Sequence, residues 1–518
     1  METKRNPIVY SDYPDPDIIC VDNTYYMAST TMHYMPGCDI LRSYDLVNWE
    51  LIAHAYETLE DNPAHNLENG HQIYGQGMWA PSLRYNDGIF YITFTGNDTH
   101  KTYLFMAKNP EGPWEKRNIE GFYYDNGLFF DDDGRVYIVH GQKTLRLTEL
   151  DPSLKGPKQG GLERIVAVDK EDALLGYEGS HLQKYNGKYY LFTCHMLREN
   201  GGRKTEDCFI ADSLEGEFKG KCVINDDMGY FELGVAQGGM IQTPDDRWYL
   251  FMFQDKGALG RAPMLMPMHF DADGFPELDG GRVPEVVSAQ SLCPEYRYEP
   301  LNGDDDFYYQ PDADGTVKLK LFWQFNHNPQ NEFWSVTERP GAFRLRSDSF
   351  CKSPARARNT LTQRALGPAC SAEVTVDGTA LNEGDYAGLS AWIGCFGTIA
   401  LKKEGGCYYL IMQGKPAKDE TVFADSDYLD TVVEYEKVKI SSPVVTLRCC
   451  LDFENKKDEA RFLYRDGDAW RPLGISQKMY FKMDHFTGCR FGLFLYSTEK
   501  TGGAADFMKF RFYKGSKE

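Results

Sequence analysis

Among the 77 Asp and Glu residues of this 518-residue chain, three carboxylates stand out by their setting. Asp15 lies in Tyr13-Pro14-Asp15-Pro16-Asp17. Prolines on both sides restrict the local backbone and remove donors, so the carboxylate is held with little entropy left to lose. Glu178 lies in Tyr177-Glu178-Gly179-Ser180-His181, where Gly179 permits close backbone approach and Tyr177 offers an apolar wall that raises a glutamate pKa. Asp125 lies in Tyr124-Asp125-Asn126-Gly127, just ahead of Leu128-Phe129-Phe130-Asp131-Asp132-Asp133-Gly134. Hydrolysis of a glycosidic bond calls for such a set. One ionised carboxylate takes a proton from water while a protonated carboxyl gives one to the leaving oxygen. Taken singly, each motif also reads as a capped turn or an ordinary loop acid. Their shared placement decides the matter, because each lies just upstream of one copy of a repeated strand motif.

That repeat is a polar turn followed by an aromatic-rich strand. It occurs as Asp22-Asn23-Thr24-Tyr25-Tyr26, Asn86-Asp87-Gly88-Ile89-Phe90-Tyr91 and Asp132-Asp133-Gly134-Arg135-Val136-Tyr137, then as Tyr185-Asn186-Gly187-Lys188-Tyr189-Tyr190 and Pro244-Asp245-Asp246-Arg247-Trp248-Tyr249. Asn-Gly and Asp-Gly ahead of apolar alternation are strong hairpin signals, since both turn positions need positive φ. Units roughly 45–65 residues apart fit the blades of a β-propeller, and their number predicts a five-bladed one over residues 1–290. A β-sandwich with repetitive turns is the alternative. The innermost strands of a propeller line its channel, so Asp15, Asp125 and Glu178 can converge although far apart in sequence.

The pattern stops near Gly280, and residues 291–306 read as a linker ending in Asp304-Asp305-Asp306. Residues 307–518 then carry separated alternating strands, among them Val317–Phe325, Phe343–Arg346, Ala372–Val376 and Arg490–Tyr496, which predict a two-sheet sandwich. The fold class is therefore all-β. A net charge of −21 disfavours nucleic acid and anionic membrane as partners and suits a neutral ligand. No apolar stretch approaches the ~20 residues of a membrane span, and no signal peptide is visible. The 13 cysteines form no Cys-x-x-Cys pair, which points to a reducing, cytoplasmic setting.

The motifs in chain order resemble glycoside hydrolase family 43. Those carrying the likeness are Asn6-Pro7 leading to Pro14-Asp15-Pro16-Asp17, Ser43-Tyr44-Asp45-Leu46-Val47-Asn48-Trp49, Met78-Trp79-Ala80-Pro81, Asp125 ahead of Asp131-Asp132-Asp133-Gly134, Tyr177-Glu178-Gly179 and Gly260-Arg261-Ala262-Pro263. The resemblance implies inversion of configuration, Asp15 as general base, Glu178 as general acid, and Asp125 as the residue that orients Glu178 and tunes its pKa. Residues Phe322 to Pro329, Phe333-Trp334-Ser335, Thr337-Glu338-Arg339-Pro340-Gly341 and Asn359 to Arg364 resemble the concanavalin-like β-sandwich of the family's β-xylosidase and arabinofuranosidase branch. A xylo- or arabino-oligosaccharide cut from its end is the substrate so implied, with a non-catalytic carbohydrate-binding propeller as the competing reading and a homo-oligomer left open.

Five further residues are candidates for substrate binding. Trp79 offers a flat apolar face to a sugar ring, Arg261 can bond hydroxyls or steady a carboxylate, and Met32 and His33 resemble the family's pocket-wall loop. Gln237 stands where many members place an axial His, which argues against an axial imidazole and a metal held by it. The chemistry needs no cofactor, and room is left for a structural Ca2+. Asn126 stands where the family often has Pro, which leaves that loop without a proline's rigidity.

Overall fold

The computed structural model describes residues 1–170, 172–313, 315–415 and 429–515. Five four-stranded antiparallel sheets follow one another along the first part of the chain. Blade I is Asp17–Val21, Thr24–Ser29, Gly37–Ser43 and Glu50–Tyr56; blade II begins at Met78–Asn86, blade III at Gly127–Phe130, blade IV at Ala173–Tyr185 and blade V at Val235–Gln242. These first strands touch in a closed ring, I to II to III to IV to V and back to I, and so line the axis. The repeated turns are the hairpins between first and second strands. Asp22 and Asn23 (φ 48° and 61°), Asp87 and Gly88 (49° and 78°), and Asn186 and Gly187 (47° and 74°) all take the positive φ that such hairpins require.

The inner and middle strands, such as Val136–His140 and Trp248–Asp255, are largely apolar because both faces of a blade are covered there, while outer strands such as Glu115–Ile119 are polar and exposed. In blade III, Val136 and Ile138 pack toward blade II, while Tyr137 and Val139 pack toward blade IV. The same sharing joins every neighbouring pair of blades through a separate apolar core. No strand is exchanged to close the ring. Instead Glu2–Arg5 pairs with Val286–Ala289, and the Asn6 amide bonds the carbonyls of Leu265 and Pro284, each at 2.9 Å.

The second unit is a sandwich of two eight-stranded sheets around one core. Strands Phe343–Arg346, Ala369–Asp377 and Arg490–Ser497 agree with the sequence reading. Val317–Phe325 does not form the expected strand: pairing begins only at Gln324, because Val317 and Leu319 pack half-buried on the outside of the core and have no strand beside them. All thirteen cysteines are free.

The two units are locked together. Tyr34–Met35, from the blade I loop, adds a strand to the sandwich by pairing with Gln324–Asn326. Beneath it Arg364 of the sandwich meets Asp39 of blade I at 2.6 Å. Burial works to raise the Asp39 carboxyl, but Arg364 and His54 outweigh it and hold the group below the usual range. Asp12 spans the seam as well, accepting the N–H of Arg261 at 2.8 Å and that of Gly488 at 2.7 Å. The sandwich segment around residues 481–488 is thereby fixed over the mouth of the propeller.

Candidate active site

Each blade carries a left-handed residue just ahead of or inside its first strand: Asp15 (φ 52°), Ala80 (41°), Asp125 (46°), Gly179 (69°) and Gln237 (63°). In blades II, IV and V the pairing register also slips there, between Trp79 and Ser82, Glu178 and His181, and Ala236 and Gly239. Such bulges bend a strand and re-aim its side chains. For residues other than Gly the left-handed conformation costs about 1–3 kcal/mol, a strain that gathers where position matters most. Gly179 has no alternative, since a Cβ there would lie 2.6 Å from the Gln237 Cγ.

Asp15 is buried and held by Arg261, whose Nη1 donates to Oδ1 at 3.0 Å and to Oδ2 at 3.3 Å. The Pro14 carbonyl is fixed by the Ser29 hydroxyl at 2.7 Å and the Thr30 N–H at 3.2 Å. The guanidinium gives this carboxylate a charge-assisted pair among buried side chains.

Glu178 sits in a different environment. Its Oε2 accepts from the Gln142 amide at 3.0 Å and the Tyr124 hydroxyl at 3.3 Å. Burial pushes the Glu178 carboxyl up; the Lys204 charge and these two donors work against that, and the charge of Asp15 adds to the rise. Asp125 is raised well above the carboxylate range, by burial first and then by Glu178 and Asp15, against a hydrogen bond from the Gly179 N–H. Two buried carboxyls that repel each other release their protons as a pair, so the titration belongs to both. The loop holding Asp125 needs no proline. Asn126 accepts from Thr93 at 2.7 Å and donates to the Tyr123 carbonyl at 3.0 Å, and the Ser180 N–H donates to the Asp125 carbonyl at 3.2 Å.

Trp79 forms a further wall. Its ring lies 6.2 Å from Tyr124 and 5.4 Å from Phe486 of the sandwich, and the Arg261 guanidinium stands 4.5 Å from the Phe486 ring centroid. Among the described residues, the buried Trp79 Nε1 and Arg261 Nε have no hydrogen-bond partner. A buried unpaired donor costs about 1–3 kcal/mol, which a hydroxyl-bearing ligand relieves.

The other candidates are supporting. Met32 is buried with its backbone bridged to Met78. His33 faces the seam between the units rather than an open pocket, enclosed at 0% exposure by Tyr34, Tyr74, His327 and His485. Gln237 lies under the Gly179 turn and donates its N–H to Glu206 at 2.7 Å. The axis does hold an imidazole, from another strand: His181 of blade IV reaches to 3.9 Å from Asp17 of blade I. Blades I and IV are not neighbours, so this contact crosses the channel. Asp17 is also bound by Arg84 at 2.6 Å, which leaves the axis poorly suited to a cation. Among the described residues no group of three or more His, Cys, Asp or Glu is arranged to hold a metal ion.

Residues 4–276 match glycosyl hydrolases family 43, and residues 315–513 match the beta xylosidase C-terminal concanavalin A-like domain. The chain belongs to glycosyl hydrolases family 43. A beta-xylosidase of Formosa agariphila is 26% identical over 99% of this chain and 91% of its own length. A non-reducing end alpha-L-arabinofuranosidase of Bacteroides ovatus is 29% identical over 67% of this chain and 66% of its own. A solved bifunctional GH43-CE chain of Bacteroides eggerthii is 39% identical with a TM-score of 0.88; it is longer, and this chain, matched over 100% of its length, spans 64% of it.

Tyr124, Gln142, Lys204, Asp12 and Phe486 were not singled out in the sequence. Tyr124 was adjacent to a candidate and could have been. Phe486 comes from the other unit, and no local pattern links it to Asp15. In this family member, replacing Asp125 by Asn keeps the shape and removes one acid of the repelling pair. Glu178 then loses its proton more readily, so the alkaline limb of the pH–rate profile is expected at lower pH. Profiles of kcat/KM against pH for the two proteins check this, and an unmoved alkaline limb would remove Asp125 from that role.

Proposed function

We propose that this chain is an exo-acting, inverting glycoside hydrolase that releases a terminal pentose, β-D-xylose or α-L-arabinofuranose, from hemicellulose-derived oligosaccharides. One observation carries the reading: Asp15 is paired with a guanidinium while Glu178 is raised by burial, so one site offers a base and an acid. In a single displacement, the oxygen of a water bonds to the anomeric carbon as the bond from that carbon to the leaving oxygen breaks. Asp15 takes a proton from the water and Glu178 gives its own to the leaving oxygen. Solvent exchange then returns both groups to their starting states, and no cofactor takes part.

The names of the relatives support a pentose, and the sandwich residue Phe486, packed against Trp79, supports action at a chain end, because it builds the site's wall up from the second unit and leaves less room for a long chain. The unpaired donors on Trp79 and Arg261 suit the hydroxyls of such a ring. Assays with nitrophenyl β-D-xylopyranoside, α-L-arabinofuranoside and hexosides, then with xylo- and arabino-oligosaccharides, test the reading. Turnover of a pentoside with single sugars as products from the oligosaccharides is expected. Turnover of hexosides alone, or binding without turnover, would overturn it.

A further inference from the structure

Glu178 uses its two oxygens unequally. Its Oε2 takes hydrogen bonds from both the Tyr124 hydroxyl and the Gln142 amide. We propose that Tyr124 and Gln142 are positioning residues that confine the acid proton of Glu178 to Oε1 and hold the carboxylate that remains once this proton has passed to the leaving oxygen. The inference rests on the reading of Glu178 as the acid.

A carboxylate oxygen accepts two good hydrogen bonds, and here both places on Oε2 are taken. A proton on Oε2 would turn it into a hydroxyl oxygen, a poorer acceptor, and displace one donor. The low-energy acid is therefore Oε1–H with Oε2 as its carbonyl oxygen. When the proton leaves, the new charge spreads onto an oxygen already facing two donors, and no side chain has to reorganise.

The backbone shows how the donors are held. The Gly141 N–H donates to the Tyr124 carbonyl at 2.9 Å, and the Lys143 N–H donates to the Tyr177 carbonyl at 2.8 Å. Gln142 is thus clamped between the neighbour of Asp125 and the neighbour of Glu178, although its own side chain lies on an exposed rim. An exposed Gln free to swing would cost entropy to order; the clamp on both flanks reduces that cost. The Tyr124 ring packs against Trp79 at 6.2 Å between centroids, which fixes the direction of its hydroxyl.

The test uses Tyr124→Phe, which keeps the ring, Gln142→Leu, which changes only the exposed rim, and the double variant. It is run once Glu178→Ala has been seen to discriminate between leaving groups, so a failure here is separable from a wrong acid. Profiles of kcat/KM against pH are measured for an aryl pentoside with a good leaving group and for an unactivated disaccharide. Loss of donors to the carboxylate is expected to move the alkaline limb to higher pH, more in the double variant than in either single one. Activity on the disaccharide should fall by ~10-fold or more, against at most ~3-fold on the aryl substrate, because only the former needs the proton delivered well. An alkaline limb that stays in place or moves to lower pH, or equal losses on both substrates, overturns the proposal.

Discussion

Replacing Asp15 by Ala is expected to lower kcat by about 10²–10⁴-fold or more on every substrate, whatever its leaving group. Nothing else in the site can take the proton from water: Glu178 and Asp125 are pushed toward their protonated forms, and the other neighbour of Asp15 is a guanidinium. The substitution also strands Arg261 among buried side chains, and a charge left unpaired there can destabilise the fold by about 3–5 kcal/mol. Asp15→Asn separates the two effects, since it keeps the shape and an acceptor for Arg261 while removing the base. Steady-state rates of both variants, read beside their thermal unfolding, check this. A rate loss that vanished with a better leaving group would assign Asp15 to proton donation instead.

Glu178→Ala is expected to divide substrates sharply. With an unactivated disaccharide the leaving oxygen is a poor leaving group without its proton, and a loss of about 10²–10⁴-fold follows. With a nitrophenyl pentoside the leaving group departs as a stable anion, and most of the activity should survive. The contrast between Asp15 and Glu178 follows from their surroundings. One carboxylate faces Arg261 across 3.0 Å; the other is buried among weaker donors. Equal losses on both substrates would count against Glu178 as the acid.

Much of this was legible in the sequence because propeller blades advertise themselves locally. The Asp-Gly and Asn-Gly turns at Asp87-Gly88 and Asn186-Gly187 announce each hairpin, and the backbone takes the positive φ they promise. Asp15 and Asp125 lie just ahead of first strands and Glu178 inside one, and first strands meet at the axis. Other features were hidden for physical reasons. The bulge at Glu178 is a matter of pairing register, which no residue type dictates. Gln237 argues against an axial imidazole, yet His181 reaches the channel from the neighbouring blade. Phe486 joins the pocket through a contact between units that lie hundreds of residues apart, and His33, which reads as a pocket residue, is consumed by the same seam. Contacts of that kind depend on tertiary packing, not on local pattern.

In the proposed single displacement, Asp15 and Glu178 act together on one water and one leaving group. Proton NMR of the first sugar released from a nitrophenyl β-D-xylopyranoside, recorded before the anomers equilibrate, tests it most directly. Attack by water from the face opposite the leaving group delivers α-xylose first, with the β anomer growing in only as mutarotation proceeds. Appearance of β-xylose as the first product would require two displacements through a covalent intermediate, and would contradict the assignment of Asp15 as a base.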